Sequence, residues 1–165
     1  MSTTLYIADG LAVDTATERT LASNGRSGDH RVTLCAAKDL SGEASYYYLR
    51  TNGDPVALSD TVEGAFYFAR SLGLPASEVR AAIEADAVAD EDSREWAVGM
   101  LREVEPLEAA LDATPHEVEQ VWRGFRVRAL DEADEERGGW VSIEQSEDGA
   151  LYELASYLTR RPARA

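Results

Sequence analysis

Reactive chemistry is what this 165-residue chain has least of: one cysteine, two histidines and a single lysine. The lone Cys35 excludes an internal disulfide framework and suits a reducing compartment. Its segment, RVTLCAAK, reads as a buried strand in which the thiol is a small core hydrophobe rather than a nucleophile. His30 and His116 form no HExxH pair, and CxxC and glycine-rich phosphate motifs are missing. The acidic run ADEDSRE lacks the alternating oxygen ligands and central glycine of a calcium loop. Neither a metal nor a cofactor is therefore expected. His30 follows SNGRSGD, which reads as a loop; paired with Asp29 it would be a base, while the simpler reading is a solvated loop histidine. No apolar run reaches the roughly 18 residues of a membrane span. The opening MSTTLYIADG has neither a basic nor an apolar signal region, so a cytoplasmic protein without membrane attachment is expected.

What the chain has in excess is negative charge. Thirty-one acidic residues against 16 basic ones give a formal net charge of −15, a self-repulsion that the fold must tolerate. Fifteen of the basic residues are arginine, which together with abundant alanine suggests a GC-rich genome. Three causes compete for the charge: adaptation to a salty cytoplasm, an acidic face for a basic partner, and metal storage, for which no loop is present. Carboxylate pairs are so numerous that none stands out as a catalytic acid and base, so a non-enzymatic protein is expected.

Along the chain an α+β fold is expected: an N-terminal antiparallel sheet, a central bundle of about four to five helices and a C-terminal β-hairpin. Residues 1–60 carry the short strand-like runs LYIADG, LAVDT, ERTLA, RVTLCAA and SYYYLR. Asn52-Gly53 predicts a type I′ turn, and Pro55 after it places the returning strand at a sheet edge. Tyr47 must face opposite to Tyr46 and Tyr48, so tyrosine meets either a second packed layer or a ligand. From Thr61 the apolar period lengthens, with Val62, Ala65, Phe66 and Ala69 on one helix and Val79, Ala82 and Ile83 on the next. A third helix is expected near 93–104 with Trp96, Met100, Leu101 and Val104 as its stripe, broken by Pro106 and followed by the short helix LEAALDA. Thr114, Pro115 and Glu117 read as the cap of another helix, which buries Val118, Val121, Trp122, Phe125 and Ala129. Trp122 and Phe125 are expected to share a core with Trp96 and Met100. The helical region is expected to run over 61–137, the final hairpin over 138–159 around SEDG, and a loose basic tail over 160–165, all in one compact unit.

Residues 72–96 begin like the turn and second helix of a helix-turn-helix and then run into acid. An offset of 39 residues pairs Leu72, Glu78, Val79, Ala82 and Ile83 with Leu111, Glu117, Val118, Val121 and Trp122, as two helix-turn-helix-like pairs would. In the order of its elements the second pair with its hairpin resembles the winged-helix family, which would make Arg123, Arg126 and Arg128 DNA-binding residues. On a helix those arginines do not form one stripe, and the acids at 131–136 repel phosphate. The leading expectation is an acidic interaction protein that inhibits or regulates a basic partner, such as a nucleic-acid-handling protein. Its contact residues would be Asp90, Glu91, Asp92, Asp131, Glu132, Asp134, Glu135 and Glu136. In size and charge the chain is similar to DNA-mimic antirestriction proteins, without a motif of that family. The alternatives are the winged-helix regulator and a small-molecule-binding or catalytic domain around the tyrosine strand.

Overall fold

Five β-rich runs at the start of the chain become five antiparallel strands. The computed structural model describes residues 3–130, 140 and 144–160, and its elements are α and β in separate runs. Strands β1 (Thr4–Ala8), β2 (Leu11–Asp14), β3 (Arg19–Ser23), β4 (Thr33–Lys38), β5 (Ser45–Arg50) and β6 (Val56–Ala57) come first. Helices α1 (Val62–Leu72), α2 (Ala76–Glu84) and α3 (Glu91–Ala113) follow, then β7 (His116–Val121), β8 (Gly124–Ala129) and α4 (Glu147–Arg160). The chain divides into two compact units, 1–103 and 104–165. The boundary between the two units falls within the span of α3.

In the first unit β1 and β2 form a hairpin, and a four-stranded sheet has the order β3-β4-β5-β6. Alternation along β4 and β5 assigns their side chains to two faces, in the register Cys35↔Tyr48 and Ala36↔Tyr47. Cys35, Ala37 and Tyr48 pack with Ile7 and Val13 of the β1–β2 hairpin, and burial pushes the Cys35 thiol up from its ordinary range. Leu34, Ala36, Tyr47 and Leu49 are buried on the opposite face. Both tyrosine faces thus meet a packed layer. β6 lies at the edge of its sheet, as Pro55 predicted. The type I′ turn is not formed: neither Asn52 nor Gly53 has a positive φ. With Leu49 paired to Val56, the connection is longer than a two-residue turn.

α1 begins at Thr61, whose side chain accepts from the Gly64 N–H, and ends at Gly73 in the left-handed region at φ 73°. Its buried face is Ala65, Phe66, Phe68, Ala69 and Leu72, and that of α2 is Ala76, Val79 and Ile83. Just beyond α2, Asp86 is only 5% exposed. Arg19 of β3 grips it with both ends of its guanidinium, Nε to Oδ1 at 3.0 Å and Nη2 to Oδ2 at 2.6 Å. The Arg94 side chain donates to the Asp86 carbonyl at 3.0 Å, and the Tyr47 hydroxyl stands 3.5 Å from Oδ2. Burial, and then the Asp86 charge, push the Tyr47 hydroxyl far above its ordinary pKa.

Three expectations for the rest of the chain are corrected. Pro106 does not break α3, which runs through it to Ala113; a proline removes one intrahelical hydrogen bond, and the apolar stripe Ala97, Leu101, Val104, Leu107 and Leu111 is buried on both sides of it. That stripe is rotated from the expected one, leaving Trp96 44% exposed. The helix expected over 114–129 is instead the β7–β8 hairpin, with Trp122 and Arg123 between the paired Val121 and Gly124. Period two wins there because Val118↔Val127 and His116↔Ala129 line one face while Glu117↔Arg128 and Glu119↔Arg126 form oppositely charged cross-strand pairs on the other. Trp122, at 87% exposure, is no core residue, contrary to its expected burial with Phe125, Trp96 and Met100, and a hairpin over 116–129 takes the place of the second helix-turn-helix-like pair. Finally, Glu147–Arg160 is a helix and not the return strand of a hairpin over 138–159. SEDG is its cap: Ser146 Oγ accepts from the Gly149 N–H at 2.9 Å. Its face Ala150, Leu151, Leu154, Ala155 and Leu158 is buried in the second unit, where α4 packs on β7 and β8. Trp140 bridges to Arg128 and Glu144 to Phe125. A Cβ at Gly124 would stand 2.2 Å from the Glu144 carbonyl oxygen, so only glycine lets the two segments meet there.

Removing one member of a buried ion pair leaves the other unpaired and costs about 3 to 5 kcal/mol. Arg19 retains 18% side-chain exposure, so Asp86→Ala is expected at the lower end, about 3 kcal/mol by urea denaturation, with Asp86→Asn costing less because the amide still accepts hydrogen bonds.

Candidate functional site

The first unit contains a cavity of about 820 Å³. Its wall is built from four places: Ile7, Ala8 and Leu11 of the β1–β2 hairpin, Ala44–Tyr47 at the start of β5, Pro55–Asp60 around the edge strand, and Asp92, Ser93 and Trp96 on the first turns of α3. On a helix, positions 92, 93 and 96 share one side, which explains how a single turn contributes a carboxylate, a hydroxyl and an indole.

Asp90 holds these walls together. It precedes α3 and caps it, Oδ2 accepting from the Ser93 N–H at 3.0 Å and from the Ser93 hydroxyl at 2.7 Å. Its Oδ1 accepts from the Ser45 N–H at 2.8 Å, which ties the helix to the first residue of β5. Burial opposes the charge, yet the hydrogen bonds from Ser93 and the Ser45 N–H hold the Asp90 carboxyl below the usual carboxylate range. A carboxylate so held is a poor proton acceptor, so the Ser93–Asp90 pair serves as a cap and not as an activated nucleophile.

Two features of the lining stand out. Ser45 is 4% exposed, and among the described residues its Oγ is a buried side-chain oxygen with no hydrogen-bond partner. A hydroxyl can donate once and accept twice, and leaving it unmatched costs about 1 to 3 kcal/mol. The charged side chains of the lining, Asp60 and Asp92, are both carboxylates and both exposed. Apolar wall is supplied by Tyr46, Ala57, Leu58 and Trp96, and Val56 is 52% exposed at the margin.

The expected contact residues separate. Glu91 and Asp92 are exposed on the first turn of α3, and Asp92 lines the cavity. Asp90 is structural in the sense just given. Asp131, Glu132, Asp134, Glu135 and Glu136 lie outside the described residues. On the hairpin, Arg126 pairs with Glu119 at 2.6 Å and Arg128 with Glu117. Their guanidinium groups stand 4.0 and 4.7 Å from the centre of the Trp140 ring, and Arg123 stands 4.5 Å from that of Trp122. Asp29, the proposed partner of His30, accepts instead from the Asn52 amide at 2.6 Å. Ser45, Asp60 and Trp96 were not singled out as site residues by the sequence. The available signal was a tryptophan set among Asp92, Ser93 and Glu95, a polar context for a core residue. Among the described residues no three His, Cys, Asp or Glu side chains converge to hold a metal ion, and no helix is long and apolar enough to cross a membrane.

Because its folded pKa is depressed, the contribution of Asp90 to stability is complete above the unfolded value of about 3.9 and is lost as pH falls through the lower folded value. Urea unfolding followed down the acid limb is expected to show this loss in the native protein and a flatter profile in Asp90→Asn. Ser45→Ala, which removes the unmatched hydroxyl, is expected to raise the unfolding free energy by about 1 kcal/mol.

No protein-family model, curated protein or solved structure matches this chain, so a functional reading rests on the cavity's own residues.

Proposed function

We propose that this chain is a non-enzymatic, acidic binding protein that takes a basic partner, with the cavity of the first unit as its contact site. The observation that carries the reading is the lining: in a chain of net charge −15, Asp60 and Asp92 are the charged side chains of the cavity wall and no arginine, lysine or histidine joins them. Such a site attracts cations at long range and rejects phosphate. A nucleic-acid-handling protein presents a basic surface, and covering that surface would inhibit it. The winged-helix alternative has lost its reading helix, since 116–129 is a hairpin, and Arg126 and Arg128 are engaged by Glu119, Glu117 and Trp140.

A labelled arginine-rich peptide is expected to bind with an affinity that falls as salt rises, while duplex DNA is not retained even at low salt. Exposed ion pairs are worth about 0.2 to 1 kcal/mol each, so Asp60→Asn with Asp92→Asn is expected to weaken the peptide severalfold. Retention of DNA that Arg123→Ala with Arg126→Ala abolishes would reverse the assignment, and peptide binding indifferent to salt would remove its electrostatic basis.

A further inference from the structure

Resting on the basic-partner reading, we infer that the partner is a polypeptide segment that seats an arginine beside an apolar residue in the cavity of the first unit. The guanidinium meets a carboxylate of the lining, Asp60 or Asp92, and the apolar side chain lies against Trp96 and Tyr46.

Two observations converge on this chemistry. The first is charge complementarity, since the lining is acidic and holds no cation of its own. The second is the mixture of wall and rim. A bare cation needs only carboxylates, whereas this cavity sets its two carboxylates among Ile7, Leu11, Tyr46, Leu58 and Trp96. Arginine suits such a site because its aliphatic stem packs on apolar surface and its planar head stacks on aromatic rings. The chain already uses that stacking internally, at Trp122 and at Trp140.

A polypeptide, rather than a small amine, is favoured by scale. A charge of −15 exceeds what one ammonium group requires, and it steers a macromolecule of opposite sign. Val56 and Trp96, 52% and 44% exposed, stand at the margin, where a partner surface larger than the cavity would cover them. A half-exposed tryptophan beside a pocket is also the residue type that most often anchors protein interfaces.

The test compares two labelled peptides of equal length and charge by fluorescence anisotropy, one alternating arginine with leucine and one alternating arginine with serine. The arginine-leucine peptide is expected to bind about tenfold tighter or more, and Trp96→Ala is expected to abolish the difference, as truncation of an interface anchor does. Far-ultraviolet circular dichroism checks that the variant is folded. Equal binding of both peptides, unchanged by Trp96→Ala, would overturn the inference and leave the basic-partner reading standing. Failure of both peptides to bind at low salt would overturn that reading and the inference with it. Tighter binding of monomeric dodecyltrimethylammonium than of the arginine-leucine peptide, with the same dependence on Trp96, would replace the polypeptide by a small amphiphilic amine.

Discussion

The grip of Arg19 on Asp86 is the constraint around which the first unit is organised. It joins β3, at one edge of the sheet, to the residue that follows α2, and it does so where Asp86 has almost no water. A buried carboxylate is tolerable only when matched, and this one is matched at both oxygens by the guanidinium, with the Arg94 side chain anchored on its carbonyl. The turn from α2 into α3 is thereby held against the sheet. Four residues further on, Asp90 repeats the device on a smaller scale by capping α3 and accepting from the first residue of β5. The cavity is bounded by the two elements that Asp90 joins.

These contacts divide the acidic run that follows α2 into two kinds of residue. Asp86 and Asp90 are turned inward and matched by hydrogen-bond donors. Glu84, Glu91, Asp92 and Glu95 are exposed, and Glu84 meets Arg80 and Arg102 on the surface. Of the unpaired kind, Asp92 borders the cavity, where its charge acts beside apolar wall and is less screened than on an open surface.

The second unit shows the opposite use of charge. Its hairpin alternates charged and apolar residues so strictly that Glu117 and Glu119 fall opposite Arg128 and Arg126, and Trp140 lies over both guanidinium groups. Two of the three cations that a helical reading offered to DNA, Arg126 and Arg128, are paired with their own strand partners, while Arg123 sits in the turn against Trp122. That reading failed for an identifiable reason: Val118, Val121, Trp122 and Phe125 satisfy a helical period, while Phe125, Val127 and Ala129 with Arg126 and Arg128 between them satisfy a period of two. Both patterns are present, and pairing decided between them. The reverse ambiguity led SEDG to be read as a hairpin turn when Ser146 caps a helix whose stripe of Leu151, Leu154, Ala155 and Leu158 is regular.

What the sequence determined by itself is local. Alternation and β-branching were enough for the five N-terminal strands, because their cross-strand partners lie nearby in the chain, and Thr61 and Gly73 marked the ends of α1 because caps act within a turn. Charge and the scarcity of reactive side chains were legible for the same reason, being properties of composition. The candidate site was not. Ser45, Asp60 and Trp96 are separated along the chain and carry no shared motif, and Ser45 gains its meaning only when its N–H is taken by Asp90 and its hydroxyl is buried without a partner. Tertiary structure alone decided which acids are enclosed and which face water, because a carboxylate's role depends on the donors brought to it from distant elements, and those distances do not exist in the sequence.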